Sequence, residues 1–344
     1  MRPEKKRSFE KIAIVGATGA VGRQMLQDLE ELPNFDAELF LFASPRSAGE
    51  ILHFHNKRIA VQAWSLEAAK DIDIFLMSAG GDFSKEYSPK LVEQGAIVID
   101  NSSAWRMHKE VPLVVPEVNS SQLDTMQSGI IANPNCSTIQ MVVPLAAIHQ
   151  KLGLEMVAVS TYQSVSGSGQ KGIAELSKQI KDRFNLNEIN PQVYPQAISF
   201  NVLSSIGAID PFGHCEEEKK MVLETRKILG LEDLAVHATT ARVPTINCHC
   251  ESVLVKCKKS ISLPELKKLF AAIPGVVYDP DLLPSDSPSP LLVAGKPQIY
   301  VSRIRLGHEQ TKSAYFQFWV VADNLRKGAA TNAVQILSYL WGTK

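Results

Sequence analysis

No stretch of this sequence approaches the roughly 18–20 consecutive apolar residues that a bilayer-spanning helix needs. The charged segment from Met1 to Lys11 holds no apolar core of the kind a secretion signal carries. Cysteine is scarce and odd in number, five in 344 residues. That count speaks against a disulfide framework and for free thiols in a reducing compartment. Net charge is missing as well, because 36 basic residues balance 36 acidic ones. No overall field draws the chain to nucleic acid or to an anionic membrane, so an anionic ligand must be held by locally placed cations. Internal repeats are also absent. The expectation is a cytoplasmic protein that binds small molecules.

What is present suggests two domains, by the prior of about 100–200 residues each. After a polar leader at 2–10, Lys11 to Val15 is a short apolar run that stops at glycine, as a buried parallel strand does. A helix is expected from Val21 to Glu31, with Val21, Met25 and Leu29 on one face. Further strands are expected at Ala37 to Ala43, Ile72 to Met77, Ala96 to Ile99 and Gly129 to Ala132, with helical stretches between several of them. This alternation predicts a doubly wound parallel α/β sheet. Beyond residue 137 the runs Met156 to Gln163 and Glu251 to Cys257 look extended and predict a mixed sheet with helices on one side. Asp279 to Pro290 is rich in Pro and Ser and is expected to be a loop. In the last segment Ala329, Ala333, Ile336, Leu337 and Leu340 share a helical face.

The turn Gly16-Ala17-Thr18-Gly19-Ala20-Val21-Gly22 lies between the first strand and the first helix. Glycines there let the backbone approach a pyrophosphate, and the helix N-terminus offers it unpaired N–H groups. Such a turn is weak evidence alone and stronger in this strand–turn–helix setting. The second strand ends without the carboxylate that would accept the ribose hydroxyls of NAD. It ends in Ser44, Arg46 and Ser47, donors suited to a 2′-phosphate, so NADP is the expected cofactor.

Cys136 follows Asn133-Pro134-Asn135 and precedes an apolar helix. Asn135 is a suitable cap, which puts Cys136 in the first turn, where the helix end favours a thiolate. A free cysteine is more often a buried structural residue, but the flanking residues here are polar. His249 is the residue type most often used as a base near neutral pH. A metal site built from Cys248, His249 and Cys250 competes with that reading, but no second Cys/His cluster is present to complete four ligands.

Taken together, eight separated motifs resemble the aspartate-β-semialdehyde dehydrogenase family across nearly the whole chain. They are GATGAVG (16–22), SPRSAG (44–49), DNSSAWR (100–106), PNCSTIQ (134–140), TYQSVSGSGQKG (161–172), EEEKKM (216–221), ARVPTINCH (241–249) and DNLRKGAATN (323–332). The resemblance implies a Rossmann-type nucleotide domain at 1–137 and 328–344, with an inserted α+β catalytic and dimerisation domain at 138–327. It implies that Cys136 is the acyl-thioester nucleophile, that Gln163 orients the substrate and that His249 is the acid/base. Arg106 and Lys220 would hold phosphate, Glu217 the substrate ammonium and Arg242 its carboxylate. Ser166, Gly167 and Asn324 would touch the cofactor, together with the Gly16–Gly22 turn, Arg46 and Ser47.

The implied reaction is reversible, NADPH-dependent conversion of L-aspartyl-4-phosphate to L-aspartate-4-semialdehyde and phosphate. It feeds lysine, threonine, methionine and diaminopimelate synthesis, and the implied assembly is a homodimer. An N-acetyl-γ-glutamyl-phosphate reductase would run the same chemistry, but its substrate amine is neutral and would not need Glu217. A non-catalytic nucleotide-binding relative would be free to lose Cys136, Gln163 or His249, and all three are present.

Overall fold

Parallel strands buried on both faces read as unbroken apolar runs. The first of them, β1 (Lys11–Val15), is buried from Ile12 onward. The structure is a computed structural model that describes residues 9–281 and 284–342, so most of the polar leader at 2–10 lies outside it. Two compact units emerge, one of residues 1–134 and 329–344, the other of residues 135–328.

In the first unit β1 leads into α1 (Ala20–Glu30), β2 (Glu38–Ala43), the hairpin strands β3 (Ile51–Phe54) and β4 (Lys57–Ala60), and β5 (Gln62–Ala63). Then come β6 (Ile74–Met77), α2 (Gly81–Glu93), β7 (Ile97–Asp100), α3 (Pro116–Asn119) and β8 (Ile130–Ala132). The main sheet is ordered β5-β2-β1-β6-β7-β8, and its pairings are parallel. The order reverses between β1 and β6, and that switch point is where open α/β sheets bind ligands. Strand β6 starts two residues later than the apolar run suggests. Asp71 has a φ of +61°, and the Asp73 carboxylate accepts the N–H groups of Glu10 and Lys11.

The second unit opens with α4 (Cys136–Leu152) and β9 (Leu154–Gln163). It continues through α5 (Gly169–Phe184), α6 (Glu216–Leu229), β10 (Ala235–Arg242) and β11 (His249–Ser262). The remainder is α7 (Leu263–Ala271), β12 (Val276–Val277), α8 (Pro290–Val293), β13 (Ile299–Leu306) and β14 (Lys312–Ala322). Its sheet runs β10-β9-β11-β14-β13-β12 and is mixed: β10 pairs β9 in parallel, while β11 is antiparallel to both β9 and β14. The alternation of β9 and β11 buries one face under α4, α6 and α7. The other face carries Tyr162, Trp319 and Tyr315, of which Tyr162 and Tyr315 are exposed. The Pro/Ser-rich stretch contains a short 3-10 turn, Pro284–Asp286, and ends as α8 begins.

The last helix, α9 (Thr331–Trp341), belongs to the first unit. Its Ala333, Ile336 and Leu337 are fully buried in one core with Ile14, Met25 and Leu29. Among the described residues no helix is long and apolar enough to cross a membrane.

Candidate active site

Three strand ends lie side by side in the mixed sheet. Register places Arg242 of β10 beside Gln163 of β9, and Gln163 beside His249 of β11. Cross-strand partners point to one face, and here that face is the buried one: Arg242, Gln163 and His249 are all buried. Helix α4 packs over it, and its Gln140 donates from Nε2 to the His249 carbonyl oxygen at 3.2 Å.

Cys136 is the first residue of α4. Asn135 caps the helix, its Oδ1 accepting from the N–H groups of Ser137 (3.0 Å) and Thr138 (3.2 Å). Helix α6 then clamps this cap with two carboxylates on one face. Glu224 Oε2 accepts the Asn135 peptide N–H at 2.6 Å, and Glu217 Oε1 accepts from Asn135 Nδ2 at 2.8 Å. Of the five cysteines, Cys136 alone has partial solvent access. Burial pushes the thiols of Cys250 and Cys257 up to about 12 and raises that of Cys248 as well, so all three stay protonated and inert. Cys248 and Cys250 share an apolar cluster with Val293 and Val321. Among the described residues no three His, Cys, Asp or Glu side chains gather as metal ligands.

His249 is enclosed completely. Burial first, and the Arg242 charge second, push its imidazole down to about 3, so the ring is neutral near pH 7. The Ser164 N–H reaches His249 Nδ1 at 3.1 Å. Nε2 has no hydrogen-bond partner among the described residues. Gly167 keeps the adjoining space open. A Cβ there would lie 2.7 Å from Arg242 Nη1 and 3.4 Å from His249 Nε2.

Arg242 donates from Nη1 to the Ser164 carbonyl at 2.7 Å but has no acidic partner among the described residues. A buried guanidinium without a counter-ion is costly, and a ligand carboxylate would supply one. Lys220 lies 3.5 Å from Glu217 Oε2 and keeps about a third of its side chain exposed. Gln163 Nε2 donates to Thr161 Oγ1 at 3.3 Å. Ser166 and Asn324 are knit together, since Asn324 Oδ1 accepts from the hydroxyls of Ser164 and Ser166 and from the Cys248 N–H.

The first unit holds the remaining candidates. Gly16 sits at the switch point with a φ of +85°, and a Cβ there would lie 2.4 Å from the Ser78 carbonyl oxygen. Thr18, Gly19, Ala20, Val21 and Gly22 complete the turn into α1, whose N-cap, Gly19, brings no side-chain bond to the helix end. The free N–H groups of that end suit a pyrophosphate. Arg46 and Ser47 lie in a 3-10 turn directly after β2 that Ser44 caps, and the Arg46 side chain is exposed without a partner among the described residues. The nearby acid, Glu50, is taken by Arg23. This arrangement fits a dinucleotide with a 2′-phosphate. Arg106 is buried on the loop after β7 and donates from Nη2 to the Asn101 carbonyl at 3.0 Å. Asp100, whose carboxyl is raised above its ordinary range by burial, accepts from Ser102 to shape the same loop.

Sequence reasoning missed Glu224, Gln140 and Glu251. Glu224 sits within a charged helix that reads as solvated, and the other two sit within apolar runs. Only tertiary pairing brings them under the site. Glu251 lies two residues beyond His249 on the same face, fully buried, and burial raises its carboxyl well above the usual range.

Both units match known semialdehyde dehydrogenases. Residues 11–126 match the family described as "Semialdehyde dehydrogenase, NAD binding domain", and residues 145–327 match "Semialdehyde dehydrogenase, dimerisation domain". The fold and the site therefore place the chain in that class of oxidoreductase. Within it, the chain belongs to the aspartate-semialdehyde dehydrogenase family. It is 47% identical to the aspartate-semialdehyde dehydrogenase of Aquifex aeolicus, covering 96% of this chain and 97% of that one. It is 45% identical to that of Legionella pneumophila, covering 96% and 95%. The crystal structure of aspartate semialdehyde dehydrogenase II from Vibrio cholerae, complexed with ASA, superposes with a TM-score of 0.90 at 38% identity, covering 98% and 99% of the two chains.

Proposed function

We propose that this chain is an aspartate-semialdehyde dehydrogenase that interconverts L-aspartyl-4-phosphate and L-aspartate-4-semialdehyde through a thioester on Cys136. The observation that carries this reading is Arg242, a buried cation without an acidic partner among the described residues, in a row with Gln163 and His249 on the face that α4 covers. The substrate has three groups to recognise: an ammonium, a carboxylate and a reacting carbonyl.

Arg242 takes the carboxylate, because a planar guanidinium matches it in two hydrogen bonds. Glu217 takes the ammonium, sharing its carboxylate with Asn135. Lys220 takes the phosphate; Arg106, in the other unit, is given the same ligand on the sequence resemblance alone. Gln163 orients the acyl group, and His249 faces the reacting carbonyl. The 38% identical Vibrio cholerae relative crystallised with ASA supports this substrate.

NADP is the cofactor, held by the Gly16–Gly22 turn with Ser44, Arg46 and Ser47 at the 2′-phosphate and with Ser166, Gly167 and Asn324 as further contacts. When bound, NADPH supplies the hydride that reduces the thioester. Cys136 attacks the acyl phosphate, carries the acyl group and is released as the aldehyde leaves. The step serves lysine, threonine, methionine and diaminopimelate biosynthesis in the cytoplasm. The second unit forms a homodimer through the sheet face that carries the exposed Tyr162 and Tyr315.

The test is phosphate-dependent reduction of NADP by aspartate semialdehyde. It is repeated with N-acetylglutamate semialdehyde and with the Cys136→Ala variant. The reading expects turnover with the first aldehyde alone and none from the variant. Preference for the acylated aldehyde, or an active Cys136→Ala, would refute it.

A further inference from the structure

Resting on the reading of Cys136 as the thioester nucleophile, we infer that Glu251 is a positioning residue. With Gln140 it ties the helix that begins at Cys136 to the strand that begins at His249, and so sets how thiol and imidazole meet. The chemistry stays with Cys136 and His249; Glu251 fixes where they stand.

The buried face of the mixed sheet is layered. Gln163 and His249 form the row at the strand ends, and register places Thr161 beside Glu251 in the next row. Val159 beside Val253 and Val157 beside Val255 follow, so the face is apolar from there on. Across β14 Glu251 pairs with Val320. Its chain neighbour Cys250 belongs to the opposite face, in the cluster with Val293 and Val321.

Glu251 is fully buried, and neither of its carboxyl oxygens has a hydrogen bond of ordinary geometry among the described residues. The polar group that acts on it is the Gln140 side-chain amide, and no charged side chain among the described residues offsets its burial. Burial raises the carboxyl well above its ordinary range and so favours the neutral acid, which has one O–H to donate.

Gln140 lies four residues after Cys136, on the same side of α4. The His249 carbonyl can only accept, so the 3.2 Å contact turns Gln140 Nε2 toward β11. Gln140 Oε1 is buried without a partner among the described residues, and so is Ser137 Oγ, three residues earlier on the helix. A neutral Glu251 has the O–H that Gln140 Oε1 lacks. Thr161 adds a second tie in the same layer, since its Oγ1 accepts from Gln163 Nε2 at 3.3 Å.

A polar layer thus sits between the catalytic row and an apolar core. A buried carboxyl weakens a fold unless it is well bonded. Leucine has similar bulk and no polar atom, and exchanging buried polar groups for apolar ones of the same shape is nearly neutral or stabilising. Fold and catalysis should therefore respond differently to the loss of Glu251. The fold keeps its stability, while α4 and β11 lose the link that aligns Cys136 with His249. Misplacement of about 1 Å lowers a rate by about 10²-fold.

The test uses the full-length enzyme with Glu251→Leu, Gln140→Leu, the two together and Glu251→Gln. Glu251→Leu should melt no lower than wild type and lose about 10–100-fold in kcat. Its KM for aspartate semialdehyde should be unchanged, because Arg242 and Glu217 are untouched. Gln140→Leu should lose a similar factor, and the double variant no more than either single one, because the two side chains act as one tie. Glu251→Gln keeps a neutral donor and acceptor and should recover most of the rate. A Glu251→Leu with wild-type kcat, a loss carried by KM, or losses that multiply in the double variant would each overturn the inference. If Glu251→Leu does not fold, Glu251→Gln against Gln140→Leu decides, and equal kcat in those two overturns it. An acyl adduct on Cys136 of the wild-type enzyme is measured alongside. Its absence sinks the nucleophile reading, whereas an adduct together with a fast Glu251→Leu sinks this inference alone.

Discussion

Glu224 closes on the peptide N–H of Asn135 at 2.6 Å, one residue before Cys136. The carboxylate is buried, and a hydrogen bond to a charged acceptor contributes about 1.5–3 kcal/mol. Glu224→Ala leaves that N–H unmet and frees the start of α4. It should lower the melting temperature by several degrees and kcat by about tenfold or more, since small displacements of a reacting atom are costly. Glu224→Gln keeps an acceptor oxygen and should recover most of the rate. Thermal melts and steady-state kinetics check this, and equal kcat in all three proteins would refute it.

Asn135 offers a sharper comparison. Asn and Asp are about equally good N-caps, so cap propensity alone makes Asn135→Asp harmless. Here Asn135 Nδ2 donates to Glu217, and an aspartate would place a like charge at that 2.8 Å contact. Asn135→Asp should therefore be less stable than Asn135→Ala at pH 8. Urea melts at that pH decide it; an Asp variant as stable as wild type contradicts the clamp.

His249 and Glu251 give stability opposite dependences on pH. His249 is held down at about 3, below its ordinary 6.5, so its contribution is complete above 6.5 and is lost as pH falls. Glu251 is raised, so its contribution is complete below its ordinary 4.5 and is lost as pH climbs. As pH climbs above 4.5, Glu251→Gln should therefore hold its melting temperature better than wild type does. An equal or poorer response in Glu251→Gln would count against a carboxyl raised by burial.

The exposed Arg46, without a partner among the described residues, bears on cofactor choice. A charge-assisted contact to a 2′-phosphate at about 1.5–3 kcal/mol corresponds to roughly 10–100-fold. Arg46→Ala should raise KM for NADP by that factor and leave KM for NAD nearly unchanged. Equal effects on both cofactors would show that Arg46 does not read the phosphate.

Much of this was legible in the chain. The Gly16 turn, the Asn135 cap and Cys136 at N1 of α4 are local, and spacing alone announces them. The first sheet was legible as well, because strands buried on both faces carry unbroken apolar runs. The row of Arg242, Gln163 and His249 was not, because register between strands distant in sequence depends on tertiary pairing. Glu224 was hidden for a related reason. On its own helix it reads as a surface charge, and only the packing of α6 against α4 makes it a clamp.

The central claim is that the acyl group rests on Cys136. The most direct test is mass spectrometry of the enzyme quenched after mixing with aspartate semialdehyde and NADP in the absence of phosphate. The account predicts one aspartyl group per chain, attached to the peptide that contains Cys136 and released when phosphate is added. No adduct, or an adduct on Cys215, Cys248, Cys250 or Cys257, would contradict it.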